Sequence, residues 1–159
     1  MADELPVVFL RHRADTDPIA VFFDDATSLV TVVWTDEEIP GLPTMDCIYR
    51  CYRSTVYQRE ADIESFIAET NALVFYGIYA TAETYASLSG LHGTRAVPSE
   101  ALVHDRETGK PIVCIATWNH AMREARPGDL EDPNVVRATP LRFFSGTRTD
   151  ARRWVAEMD

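Results

Sequence analysis

Glycine, cysteine and lysine are all scarce in this 159-residue chain, and each scarcity excludes something. The seven glycines are scattered, so neither GxGxxG nor GxxxxGK[ST] occurs, and a glycine-rich phosphate loop is missing. Gly109-Lys110 lacks both the upstream glycine spacing and the hydroxyl that should follow. A GxSxG nucleophile elbow and an HExxH zinc pair are missing too. Three cysteines make an odd number, which argues against a closed disulfide set. Cys47, Cys51 and Cys114 all lie in apolar or aromatic runs, where free cysteine behaves as a small buried hydrophobe. A reducing compartment follows, and with it a cytoplasmic location. No apolar stretch reaches the length a bilayer needs. The apolar run in the opening MADELPVVFLRHR is too short for a signal peptide, and acids precede it. No repeat, low-complexity tract or Gly/Ser-rich linker divides the chain, so residues 1–159 are expected to form one globular domain. With 46% hydrophobic and 25% charged residues, that domain can build its own core without a metal or disulfide staple.

What the chain has in excess is acid, unevenly placed. Residues 1–80 carry fourteen acids against five basic residues, whereas residues 81–159 carry eleven against ten. The acids cluster at Asp15 and Asp17, at Asp24 and Asp25, at Asp36-Glu37-Glu38, and at Glu60, Asp62 and Glu64. A field of this sign repels phosphate backbones, which disfavours direct nucleic-acid binding and anionic membranes. A protein partner with a basic surface fits it better, with Asp36, Glu37 and Glu38 as the contact acids. The same acids also serve as solvated turns that keep a domain in solution. Arginine outnumbers lysine fourteen to one. Guanidinium favours bidentate pairing with carboxylates and phosphates, but base composition of the coding genome produces the same bias.

Local pattern supplies the elements. Leu5–Leu10 is a branched and aromatic run and reads as a strand. Ile19–Phe23 and Leu29–Trp34, joined by the polar stretch Asp24–Ser28, read as a hairpin. Thr35–Thr44 holds two prolines, a glycine and three consecutive acids and reads as a loop. Cys47–Tyr57 favours a long strand. In Glu60–Asn71 the spacing of Ile63, Phe66 and Ile67 predicts an amphipathic helix. Leu73–Tyr79 reads as a buried strand, and Thr81 is placed to cap a helix through Leu88. Ala101–His104 and Pro111–Thr117 read as a second hairpin about a turn with Gly109 at positive φ. Ala121–Ala125 reads as one helical turn, and Val135–Phe144 as a strand broken at Pro140. Thr149 is placed to cap a C-terminal helix to about Met158 with Trp154 and Val155 inward. The expected class is α+β, a mostly antiparallel sheet built from hairpins with two or three helices on one face. The strand at Pro140 lies at an edge, exposed or paired, which leaves room for a homodimer.

Candidate chemistry is sparse. Cys47-x3-Cys51 resembles a metal half-site, but on the favoured strand the two residues stand roughly 13 Å apart, too far for one ion; on a helix, the alternative there, both could ligate. No metal and no cofactor are expected. A Cys114 nucleophile activated by His104 fails on register, because a hairpin closing on residues 106–109 sets position 104 opposite about 111. Trp118-Asn119-His120 at a strand end is chemically richer, since such ends border loops where binding residues gather. With Arg137 and Arg142 on the last strand, these residues could line a site for an anionic small molecule. Two functions therefore stand side by side. One is a non-enzymatic interaction or regulatory module using its acidic half; the other is a small enzyme or ligand-binding domain centred on Trp118, Asn119, His120, Arg137 and Arg142.

Overall fold

The computed structural model describes residues 5–35, 61–77, 93–116 and 120–157. Strands dominate them. β1 (Val8–His12), β2 (Ala20–Asp24) and β3 (Leu29–Thr35) lead to β4 (Ala61–Glu69), β5 (Ala72–Gly77) and β6 (Gly93–Pro98). A 3-10 turn at Ser99–Ala101 precedes β7 (Ile112–Ile115) and β8 (Met122–Glu124). Then come α1 (Pro127–Glu131), β9 (Val135–Ala138), β10 (Phe143–Ser145) and α2 (Arg148–Ala156). Two sheets form, one of four strands in the order β8-β7-β1-β9 and one of six in the order β10-β2-β3-β4-β5-β6.

The sheets pack face to face, as their shared core requires. Phe9, Val113 and Ile115 of the smaller sheet join Val21, Val30, Val32, Trp34, Phe66 and Phe75 of the larger in one buried cluster. Phe9 meets Phe66 edge-on at 6.0 Å between ring centroids, the arrangement that aromatic quadrupoles favour. Alternate residues on the same strands face outward and are covered as well. Val8, Leu10, Ile112 and Cys114 cluster with Ala125 on the outer face of the smaller sheet. On the larger sheet α2 buries Ala151 and Val155 against Ala20, Phe22, Val33 and Ile63. A capping box fixes the start of α2: Asp150 N–H donates to Thr147 Oγ1, and Thr147 N–H donates to the Asp150 carboxylate. A Cβ at Gly146, just before it, would sit 2.9 Å from Asp150 Oδ2, so a side chain there would have to displace the capping carboxylate.

This architecture corrects the expected α+β class. In place of a hairpin sheet with two or three helices on one face, the described residues make ten strands in two sheets and two helices, one of them only five residues long. The pairing is mixed rather than mostly hairpin-built, with β1 parallel to β7 and β10 parallel to β2. The largest local error is Glu60–Asn71. It is the strand β4, paired to β3 with Ile63 opposite Val33 and Phe66 opposite Val30. Because both faces of that sheet are covered, apolar residues fall on both sides of the strand, and Ile63, Phe66 and Ile67 mimic a helical stripe.

Smaller differences have similar causes. Ala101–His104 is not a strand: the second hairpin shrinks to one bridge, His104 to Pro111, around a turn with Gly109 at φ 74°. Ala121–Ala125 holds β8 instead of a helical turn, and the α1 helix follows it. The last helix is capped by Thr147, not Thr149. The hairpin of β2 and β3 stands as read, whereas the single strand expected over Val135–Phe144 is two, β9 and β10, which join different sheets on either side of Pro140. The loop and strand expected over 35–57 and the helix at Thr81 lie outside the described residues, Thr35 excepted.

Candidate functional site

β1 and β7 are parallel neighbours, with Leu10 opposite Cys114, so their carboxyl ends open on the same edge of the sheet. The chain that leaves β1 carries Asp15, and the turn that leaves β7 carries His120. Loops that border strand ends are common places for binding residues. Trp34, at the carboxyl end of β3 in the other sheet, completes the cluster. Its indole lies flat against the His120 imidazole, with ring centroids 4.0 Å apart and planes within 13°. His120 Nε2 stands 3.5 Å from Asp15 Oδ2, and both side chains are buried, at 7% and 5% exposed.

The backbone around these residues is closely specified. His120 N–H donates to Ala116 C=O and Ala116 N–H to Ala121 C=O, closing the turn between β7 and β8. That turn holds His120 at φ 57°, the left-handed region that costs an L-residue with a Cβ about 1–2 kcal/mol. Strain of this kind persists only where the surroundings over-determine it, and it concentrates at functional positions. Asp15 is set by the turn after β1, where Asp15 N–H donates to His12 C=O and Arg13 N–H to Asn134 C=O. Asp15 Oδ1 accepts from Thr16 N–H. Asp15 Oδ2 and Trp34 Nε1 are fully buried and make no hydrogen bond among the described residues. Buried polar atoms are nearly always satisfied, which sets these two atoms apart.

The other expected site residues fall elsewhere. Arg137, exposed on β9, pairs with Asp105 at 3.2 Å, and Asp105 is held below the usual carboxylate range by Thr108 and then by Arg137. Arg142 is exposed ahead of β10, where its carbonyl accepts from Val21 N–H. Neither arginine is joined to His120 by a contact among the described residues. Trp118 and Asn119 lie outside the described residues, as do Asp36, Glu37 and Glu38, and Cys47 and Cys51. Of the three described residues among the five expected around a ligand, His120 is in the buried cluster and Arg137 and Arg142 are exposed.

Two further clusters have structural explanations. Cys114 is buried on the outer face of the smaller sheet; burial pushes its thiol up to about 12, and the Asp129 carboxylate adds to the effect. That direction is opposite to what a nucleophile needs. Beside it the Arg123 guanidinium donates twice to Asp129, at 2.9 Å each, and Arg126 N–H donates to the same carboxylate. Across the sandwich, Arg95 of β6 forks onto Glu124 of β8, tying the two sheets together at that side. At the opposite end from His120, a groove of about 390 Å³ opens between Phe23, Ala68, Leu73, Leu102 and His104. Among the described residues no group of three or more His, Cys, Asp or Glu side chains could hold a metal ion. None of the described helices is long and apolar enough to cross a membrane.

Sequence reasoning missed Asp15 and Trp34. Asp15 reads as one member of an acidic cluster, and Trp34 as the end of a strand. Positions 15, 34 and 120 share no spacing, and only the parallel pairing of β1 with β7 under β3 unites them. No protein-family model matches the chain, nor does any curated protein or solved structure.

Proposed function

We propose that the protein is a small ligand-binding or acid–base catalytic domain of the cytoplasm whose working group is His120, oriented by Asp15 and backed by Trp34. The observation that carries this reading is the Asp15–His120 pair, buried at 3.5 Å, with His120 strained into the left-handed region. A carboxylate facing one imidazole nitrogen sets the ring's orientation and stabilises its protonated form, which is how histidine is prepared for proton transfer. Asp15 Oδ2, an acceptor, and Trp34 Nε1–H, a donor, favour a small polar ligand that offers both functions. Recognition of an anion through Arg137 and Arg142 is not part of the proposal, since Arg137 is engaged by Asp105. The acidic-interaction reading gains no support, because Asp36, Glu37 and Glu38 lie outside the described residues.

A thermal-shift screen of small polar metabolites against wild type and His120→Asn tests this. Asparagine tolerates the left-handed backbone, so the variant keeps the turn. A true ligand at a hundredfold excess over its Kd adds about 2.7 kcal/mol, several degrees in Tm. The expected result is a compound that raises the Tm of wild type and not of the variant. A screen in which every stabilising compound acts equally on both proteins overturns the reading.

A further inference from the structure

The turn that presents Asp15 is held from below by one side chain. Arg11, on β1, is largely buried at 17% exposed and spreads its guanidinium over three acceptors. Its Nε donates to Asp17 Oδ1 at 2.7 Å, and its Nη1 donates to His12 C=O at 3.1 Å and to Asp15 C=O at 2.9 Å. Asp17 Oδ1 also accepts from Thr139 N–H at 3.0 Å, which ties the same turn to the chain leaving β9. The backbone of Asp15 is therefore fixed on one side by Arg11, and its carboxylate faces His120 on the other. A planar, five-donor guanidinium can serve three acceptors in different directions at once, whereas an ammonium on a flexible stem is a compact point charge. We propose that Arg11 is a positioning residue of the His120 site, a latch that sets the Asp15 carboxylate against the imidazole without touching the ligand itself. The proposal rests on the reading of Asp15 and His120 as a working pair.

Two electrostatic effects of Arg11 have opposite signs, and this makes the latch testable. Removing a nearby cation alone favours the protonated imidazole and raises its titration midpoint. Releasing Asp15 takes an anion away from the imidazole and lowers that midpoint. The experiment is an NMR pH titration of the His120 ring in wild type, Asp15→Asn, Arg11→Gln, Arg11→Lys and the Arg11→Gln/Asp15→Asn pair. Asp15→Asn is expected to lower the midpoint by about one pH unit, a tenfold loss of proton affinity. Arg11→Gln should lower it in the same direction, and in the double variant it should add nothing to Asp15→Asn. Arg11→Lys, which keeps the charge but not the fork, should fall between wild type and Arg11→Gln, and it serves in its place should Arg11→Gln not fold. If Asp15→Asn leaves the midpoint unmoved, the paired site itself is refuted. If Asp15→Asn lowers it while the folded Arg11 variant matches or exceeds wild type, the latch is refuted and the pair stands.

Discussion

Removing the His120 side chain separates the energetic components of the site. His120→Ala deletes a ring stacked at 4.0 Å on Trp34, worth about 0.5–1.5 kcal/mol beyond its buried area. It also leaves the Asp15 carboxylate, 5% exposed, without its imidazole neighbour; a buried polar group left unmet costs about 1–3 kcal/mol. Alanine must also adopt φ 57°, whereas glycine occupies that region freely. His120→Gly should therefore be the more stable of the two by about 1 kcal/mol, a reversal of the order seen in helices or strands. Urea denaturation followed by far-UV circular dichroism measures both differences, provided the slopes agree. Adding Asp15→Asn to His120→Ala removes the stranded charge, so the double variant should be clearly more stable than the sum of the single effects. Additivity of the two substitutions to within about 0.5 kcal/mol refutes the coupling. Alanine at least as stable as glycine refutes the claim that the backbone at 120 is strained.

Two further outcomes concern the outer face of the smaller sheet. The Asp129 carboxylate is held well below its ordinary value of 3.8, chiefly by Arg123, against the opposing effect of burial. A depressed folded-state value means that its contribution to stability is complete above the unfolded value and is lost as the pH falls below it. The stability gap between wild type and Asp129→Asn should therefore be constant from pH 7 to about 5 and shrink toward pH 2; a gap that does not change over that range overturns the assignment. With its thiol pushed up to about 12, Cys114 is about one ten-thousandth thiolate at pH 8. Peptide mapping after maleimide treatment of the native protein should find it labelled only as fast as the fold opens, and labelling at the rate of a free thiol refutes its burial.

Elements defined by neighbouring residues were legible in the sequence, and those defined by distant ones were not. The β2–β3 hairpin is readable because a polar turn separates two apolar runs and local pairing satisfies both. Trp154 and Val155 are assigned to the inner face of α2 from spacing alone, with Val155 buried and Trp154 packed on Phe22 and Phe144. β4 fails for a physical reason: a strand covered on both faces carries no period of two, so Ile63, Phe66 and Ile67 look helical. The parallel pairing of β1 with β7 brings together residues about a hundred positions apart, and nothing local announces it. His120 is found from its place at a strand end. Asp15 and Trp34 needed the topology.

The Arg123–Asp129 and Asp15–His120 pairs differ in how far their carboxylates are satisfied. Arg123 and Asp129 are saturated: two parallel guanidinium contacts and a backbone N–H occupy the carboxylate, as expected of a pair whose role ends with holding α1 to the sheet. The Asp15–His120 pair is more deeply buried, and its carboxylate is not saturated. It is set at 3.5 Å, longer than a good hydrogen bond, with Asp15 Oδ2 and the neighbouring Trp34 Nε1 making none among the described residues. A purely structural pair relaxes to shorter contact, because an unmet buried polar atom costs about 1–3 kcal/mol. Here the turn between β7 and β8 carries His120 at φ 57°, and Arg11 donates to the Asp15 carbonyl in the turn after β1. Such an arrangement is stable only if the rest of the fold offsets its cost. The proposed site therefore rests on the unmet Asp15 Oδ2 and Trp34 Nε1 more than on burial or charge.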